Sequence, residues 1–205
     1  MSRLRVLQIT LWVLALVAFG AFALATTGVL RLPGSPVAQA PARIPPVAIG
    51  GSFRLTSHTG VTVTNESLKG RPYAVFFGFT HCPDVCPTTL FDLSNLLREL
   101  GPDGDKITPV LITVDPERDS PQALAEYMQA FDPRILALTG TLDEVEAAVK
   151  AFKAYHRKVP TDGGYTMDHT SLIYLMDRNG WFLSTLDRHE DKGAQLLKLR
   201  RAIAT

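Results

Sequence analysis

The chain of 205 residues has almost no cysteine: Cys82 and Cys86 are the only two. A framework of stapling disulfides is therefore excluded, and thiol or soft-ligand chemistry is confined to one place. Acidic residues are missing from the first 65 positions, the first being Glu66. Five of the 21 basic residues, all arginines, fall in that stretch, so the formal net charge of +1 hides a remainder with 16 basic and 20 acidic side chains. A mildly acidic domain lacks the electrostatic footprint of a nucleic-acid binder, and no nucleic-acid partner is expected. Internal repeats are absent. The composition is otherwise ordinary, with 46% hydrophobic and 20% charged residues, which suits one compact domain.

Where charge is scarce, apolar residues take over. Arg3 and Arg5 precede a nearly unbroken apolar run over residues 11–30, weakened only by Gly20, Thr26, Thr27 and Gly28. Twenty residues of helix span about 30 Å, the thickness of a bilayer core. A cleaved signal peptide is the competing reading. Ala38-Gln39-Ala40 has the look of a cleavage signature, but Pro41 follows it, and the apolar run exceeds the usual length of about 7–15 residues. The sequence thus predicts a cytoplasmic N-terminus over residues 1–10 and a transmembrane anchor over 11–30. Residues 31–46 are a tether rich in proline (Pro33, Pro36, Pro41, Pro45, Pro46), and 47–205 are the folded domain. Arginines on the short side of the anchor keep that side inside. The domain is then expected outside the cytoplasm, at the periplasmic face of the inner membrane in a bacterium.

Within the domain, Val61–Thr64 alternates as a short strand, and Tyr73–Phe79 is a continuous apolar strand of the kind buried on both faces. Leu90, Leu93, Leu97 and Leu100 share one helical face before Gly101. Thr108–Val114 is a second buried strand. Ser120-Pro121 opens a helix carrying Leu124, Tyr127, Met128 and Phe131, and Thr141–Glu144 is a capping box for the next. Ser171–Met176 is a third strong strand. Asp177–Gly180 turns it back into Trp181–Thr185, and a last helix runs over about 191–203. The order strand–helix–strand–helix–helix–strand–strand–helix implies an α/β sheet of mixed direction flanked by helices. A cysteine pair at the end of the first central strand makes the layout thioredoxin-like.

The pair itself lies in Thr80-His81-Cys82-Pro83-Asp84-Val85-Cys86-Pro87. Proline after Cys86 suits a first helical turn, which places Cys86 where the helix dipole favours a thiolate. An offset of four lets both sulfurs point to one side, to form a disulfide or to hold one metal ion. A purely structural disulfide is the bland alternative, but so short a loop removes little entropy from the unfolded chain. Two thiolates leave most metals short of a ligand, and histidine is the natural third. Of the five histidines, His169, ahead of the strand Ser171–Met176, faces the cysteine helix in a thioredoxin-like fold. His81, beside Cys82, is the runner-up. Asp115, following a strand at the same sheet edge, and Asp168 each read either as turn residues or as groups that orient His169 or meet a partner. Asp84 is expected to face outward.

Three segments carry a resemblance: Thr80–Pro87, Val114-Asp115-Pro116-Glu117-Arg118-Asp119-Ser120-Pro121, and Asp168-His169-Thr170. Together they are similar to the signature segments of the Sco/SenC family, over roughly residues 47–200 and including the N-terminal anchor. The resemblance implies a membrane-anchored, thioredoxin-like copper protein that helps assemble the CuA centre of cytochrome c oxidase. Cys82, Cys86 and His169 are then the copper ligands, and copper is held as Cu(I) or, with a fourth ligand, as Cu(II). The implied partners are the copper-accepting oxidase subunit, other copper donors or thiol reductants, and the membrane. Departures are peripheral, such as Gly163-Gly164 within the loop 154–168. A second function class uses the same two thiols as a thiol–disulfide oxidoreductase that reduces the recipient's cysteines. A signalling protein responsive to copper or redox state is a third. A peroxidase using Cys82 with Thr80 and Arg118 is a fourth, fitted poorly by the close second cysteine.

Overall fold

The computed structural model describes residues 3–26 and 48–205. The chain divides into two compact units, residues 1–46 and 47–205, each described by itself. In the first, α1 (Arg3–Thr26) is a 24-residue helix with Leu7, Leu11, Trp12, Leu14 and Phe19 exposed. Among the described residues no helix meets the length and apolarity of a membrane span. Residues 27–30 of the expected anchor, and the whole expected tether, lie outside the described residues.

The second unit opens with β1 (Arg54–Ser57), β2 (Thr62–Thr64) and β3 (Tyr73–Gly78), followed by α2 (Val85–Leu100) and a short 3-10 helix, Gly101–Lys106. Then come β4 (Thr108–Thr113), α3 (Pro121–Met128), β5 (Leu136–Thr139) and α4 (Leu142–Ala151). The chain ends with β6 (His156–Thr161), β7 (Gly164–His169), β8 (Ile173–Met176), β9 (Phe182–Leu186) and α5 (Lys192–Ala204). Seven strands form one mixed sheet in the order β2-β1-β5-β4-β3-β8-β9, while β6 and β7 form a separate two-stranded sheet.

The central strands follow from their sequences. β3 is buried at all six positions, and β4 at all but the first, because helices cover both faces. β3 pairs in parallel with β4, and β4 with β5, through the crossover helices; β8 runs antiparallel to β3. Phe77, Phe152 and Tyr174 contact one another in pairs (Phe77–Phe152 5.6 Å, Phe77–Tyr174 6.1 Å and Phe152–Tyr174 5.6 Å between centroids), which fastens the C-terminal end of α4 and β8 to this centre. The Ser120 cap and the Thr141–Glu144 box are as expected, and the cap at Asp191 is an addition. Ser120 accepts a hydrogen bond from the Ala123 amide, Thr141 and Glu144 close a capping box, and Asp191 caps α5.

Three features depart from the sequence reading. β5 separates the two helices expected to be consecutive, and β1 precedes the short strand expected first. The stretch 154–168, expected as a loop, is the β6–β7 hairpin, closed by the two-residue turn Asp162-Gly163 between Thr161 and Gly164. His169 therefore ends a strand and does not sit in a loop.

This topology places the site. The carboxyl ends of parallel β3 and β4, at Gly78 and Thr113, lie side by side, and antiparallel β8 starts at the same edge, with Ile173 opposite Phe76. Chain leaving β3, chain leaving β4 and chain entering β8 must all meet there.

Candidate metal site

Cys82 lies in the turn that leaves β3, and its amide donates back to the Phe79 carbonyl (3.3 Å). Cys86 is the second residue of α2 and fully buried. Its backbone N–H donates to the Cys82 sulfur at 3.4 Å, so one of the unpaired amides of the first helical turn is aimed at that thiol. Both cysteines are free thiols. Gly78 leaves room for the Cys86 sulfur: a Cβ there would stand 3.0 Å from Sγ.

His169 completes the group. Its Nε2 is 3.5 Å from Cys86 Sγ, and its Nδ1 is 3.0 Å from the Thr170 carbonyl, which assigns the proton to Nδ1 and turns the Nε2 lone pair toward the sulfurs. The ring stands edge-on to Phe76 and Phe79, with centroids 6.2 and 5.7 Å away. Ligand atoms of Cys82, Cys86 and His169 all lie within 4.8 Å of one another, and they are the one such cluster among the described residues. Two sulfurs and an imidazole in a three-sided arrangement suit a soft ion with an open coordination position. A structural zinc would ordinarily take four protein ligands.

Burial dominates the electrostatics. It pushes the Cys86 thiol far up, with the neighbouring Cys82 and Asp119 adding to the shift against a lowering hydrogen bond at Phe79. The helix terminus alone favours a thiolate; burial wins, and Cys86 is a neutral thiol at pH 7. Burial likewise lowers His169, leaving a neutral imidazole. The metal-free site is thus uncharged at these two residues, and an incoming cation must displace the proton of Cys86.

A family model described as SCO1/SenC matches residues 41–204. The chain belongs to the SCO1/SenC family. It is 42% identical over 161 residues to "Protein SCO2, mitochondrial" of Saccharomyces cerevisiae, which covers 77% of this chain and 54% of that one. It is 41% identical over 141 residues to "Protein SenC" of Rhodobacter capsulatus, covering 68% and 64%. The chain thus spans about half the length of the yeast relative and under two thirds of the bacterial one. A solved structure of Bradyrhizobium japonicum ScoI with copper bound is similar at 49% identity and a TM-score of 0.72, covering 76% of this chain and 99% of that one. The resemblance read from the three sequence segments holds, and so does the thioredoxin-like α/β fold of mixed sheet and helices.

In this SCO1/SenC chain, the other expected site residues take different places. Asp115 is buried, but its carboxylate accepts from Arg118 Nε and the Tyr165 hydroxyl (2.9 Å); His169 is oriented instead by donating from Nδ1 to the Thr170 carbonyl. Asp168 is half-exposed and pairs with Arg157 at 3.4 Å, on the rim of a cleft of about 360 Å³ lined also by Cys82, Met167, His169 and Arg188. His81 turns its Nδ1 to the Thr80 hydroxyl (3.0 Å) and stays outside the cluster. Asp84 is exposed, as expected, and accepts from Thr88. Thr80 commits its hydroxyl to Asp119, and Arg118 its Nε to Asp115 and its Nη1 to the Tyr165 carbonyl, leaving only Nη2 without a partner, so the hydroxyl a peroxidase would need is already engaged.

Asp119 is the residue that sequence reasoning missed. It is fully buried, and its carboxylate accepts from the Thr80 amide (3.1 Å), the Thr80 hydroxyl (2.5 Å) and the Thr113 hydroxyl (2.6 Å). It ties the turn bearing Cys82 to the end of β4. Its one sequence signal was an aspartate just before the Ser120 cap, four residues after Asp115.

Proposed function

We propose that this chain is a copper carrier. Cys82, Cys86 and His169 bind Cu(I) as cargo, and the domain passes it to the copper-accepting subunit of cytochrome c oxidase while its CuA centre is assembled. The observation that carries this reading is the approach of two sulfurs and one imidazole nitrogen to within 4.8 Å at the sheet's carboxyl edge. Two soft thiolates select Cu(I), and Cu(II) would take a fourth ligand from water or protein. The copper-bound relative from Bradyrhizobium japonicum, alike over nearly its whole length, supports the same cargo. An open coordination position lets a recipient's thiolate enter before a donor sulfur leaves.

The membrane position rests on the sequence of the N-terminal unit, since among the described residues no helix meets the length and apolarity of a span. α1 is 24 residues long, about 36 Å of helix, with exposed apolar side chains and with Arg3 and Arg5 at its start. The domain then works outside the cytoplasm, within reach of a membrane-bound oxidase.

The test is competition titration of Cu(I) on residues 47–205. Cys82→Ser, Cys86→Ser and His169→Ala should each lower affinity sharply; tight binding retained in any one removes that residue from the ligand set. The amide aimed at Cys82 favours a second role, as a dithiol reductant of the recipient's cysteines. His169 separates the two. If His169→Ala abolished copper binding yet spared oxidase assembly, reduction and not copper delivery would be the function.

A further inference from the structure

The imidazole of the site is carried by an arm. β6 and β7 pair only with each other, outside the seven-stranded sheet, and His169 is the last residue of β7. An isolated two-stranded hairpin is marginally stable, so its position depends on what fastens it. His156 at the start of β6 pairs with Glu146 of α4 (2.9 Å) and Met167 packs on the core; toward the loop after β4 the fastening is made by Tyr165, four residues before His169. Its hydroxyl donates to Asp115 (2.9 Å), its carbonyl accepts from Arg118 Nη1 (3.0 Å), and the guanidinium lies 3.8 Å from its ring centroid. Arg118 also donates through Nε to the buried Asp115 and stands 5.8 Å from the centroid of Phe79, the ring against which His169 rests. Lys158 of β6 adds a stitch to Glu117 (2.6 Å).

We infer that Arg118 and Tyr165 are positioning residues, a latch that sets the distance from the His169 imidazole to the two sulfurs; this rests on the reading of His169 as a copper ligand. The loop 115–119 serves both halves of the site. Through Asp119 it fixes the turn bearing Cys82, and through Asp115 and Arg118 it fixes the arm bearing His169. A planar fork is needed to reach Asp115 and the Tyr165 carbonyl together while stacking on the ring, which lysine cannot do.

The test is a double-mutant cycle in Cu(I) affinity on the full chain. Tyr165→Phe keeps the ring and loses the hydroxyl; Arg118→Lys keeps the charge and loses the fork. Each should weaken Cu(I) binding by about 10-fold, as losses around metal ligands do. In a His169→Ala background neither should weaken it further. A role in general stability would lower affinity equally in both backgrounds and overturn the latch, as would unchanged affinity in both single variants. Amide exchange gives a reading without copper: β6–β7 amides should exchange faster in Tyr165→Phe while β3 and β4 do not, and equal acceleration in all four strands contradicts the inference. Should His169→Ala itself leave wild-type affinity intact, the ligand reading fails, separately from the latch.

Discussion

Removing the carboxylate of Asp119 is the sharpest perturbation of the scaffold under the site. In Asp119→Ala three donors lose their acceptor at once: the Thr80 amide, the Thr80 hydroxyl and the Thr113 hydroxyl. A buried donor left unpaired costs about 1–3 kcal/mol. The amide is fixed by the backbone and bears the full cost, whereas the two hydroxyls can rotate toward other acceptors. The sum is about 3–5 kcal/mol, a large share of the roughly 5–15 kcal/mol of a typical domain. At about 2–4 °C per kcal/mol for a domain of this size, the melting temperature should fall by roughly 10 °C. Asp119→Asn keeps the shape and one acceptor oxygen and should lie between. Urea unfolding of residues 47–205, a compact unit in its own right, measures the loss directly. Cys82 is two residues from Thr80, so Cu(I) affinity should fall with stability. A loss below about 1 kcal/mol for the alanine variant would refute the claim that this carboxylate holds the cysteine turn.

The space beside Cys86 gives a second prediction. In Gly78→Ala the new Cβ would meet Cys86 Sγ at 3.0 Å, Phe76 Cε1 at 2.9 Å and Leu111 Cδ1 at 3.2 Å, which should cost about 1–3 kcal/mol and displace the sulfur. Thermal melts and the copper–sulfur distances of the loaded variant check it, and wild-type values in both contradict it. Because burial raises the Cys86 thiol, copper loading must release its proton, so Cu(I) affinity should rise at least about tenfold per pH unit between roughly pH 6 and 8. A flat profile excludes Cys86 as a ligand. The metal-free domain should show the opposite ends of the same burial. His169 lies below its ordinary value of 6.5, so the unfolded chain binds the extra proton and stability falls as pH drops through that value. Cys86 lies above its ordinary value of 9.0, so the folded state keeps its proton and stability falls as pH rises beyond it. Urea unfolding across pH 5–10 should give both declines, with His169→Ala removing part of the acid one.

The site was legible because its chemistry is concentrated. Two cysteines beside a proline at the end of an apolar strand leave few alternatives, and His169 follows from the strand that returns to the same edge. Strands β3, β4 and β8 were legible because fully buried strands read as unbroken apolar runs. β5 was not: Leu136-Ala137-Leu138-Thr139 is four residues long, contains good helix formers and lies between two capped helices. β1 hides its alternation behind Arg54 and the fully buried polar Ser57. The β6–β7 arm is polar and exposed along much of its length and holds Pro160; only the Asp162-Gly163 dipeptide signals its turn. Asp119 escaped for a different reason. Its partners Thr80 and Thr113 lie 39 and six residues away, joined only when β3 and β4 pair in parallel.

X-ray absorption on the anaerobically copper-loaded domain bears most directly on the metal site. Two sulfur neighbours and one nitrogen around each bound Cu(I), with the nitrogen lost in His169→Ala, are what the geometry of Cys82, Cys86 and His169 requires. A spectrum with sulfur alone, unchanged when His169 is replaced, would contradict it.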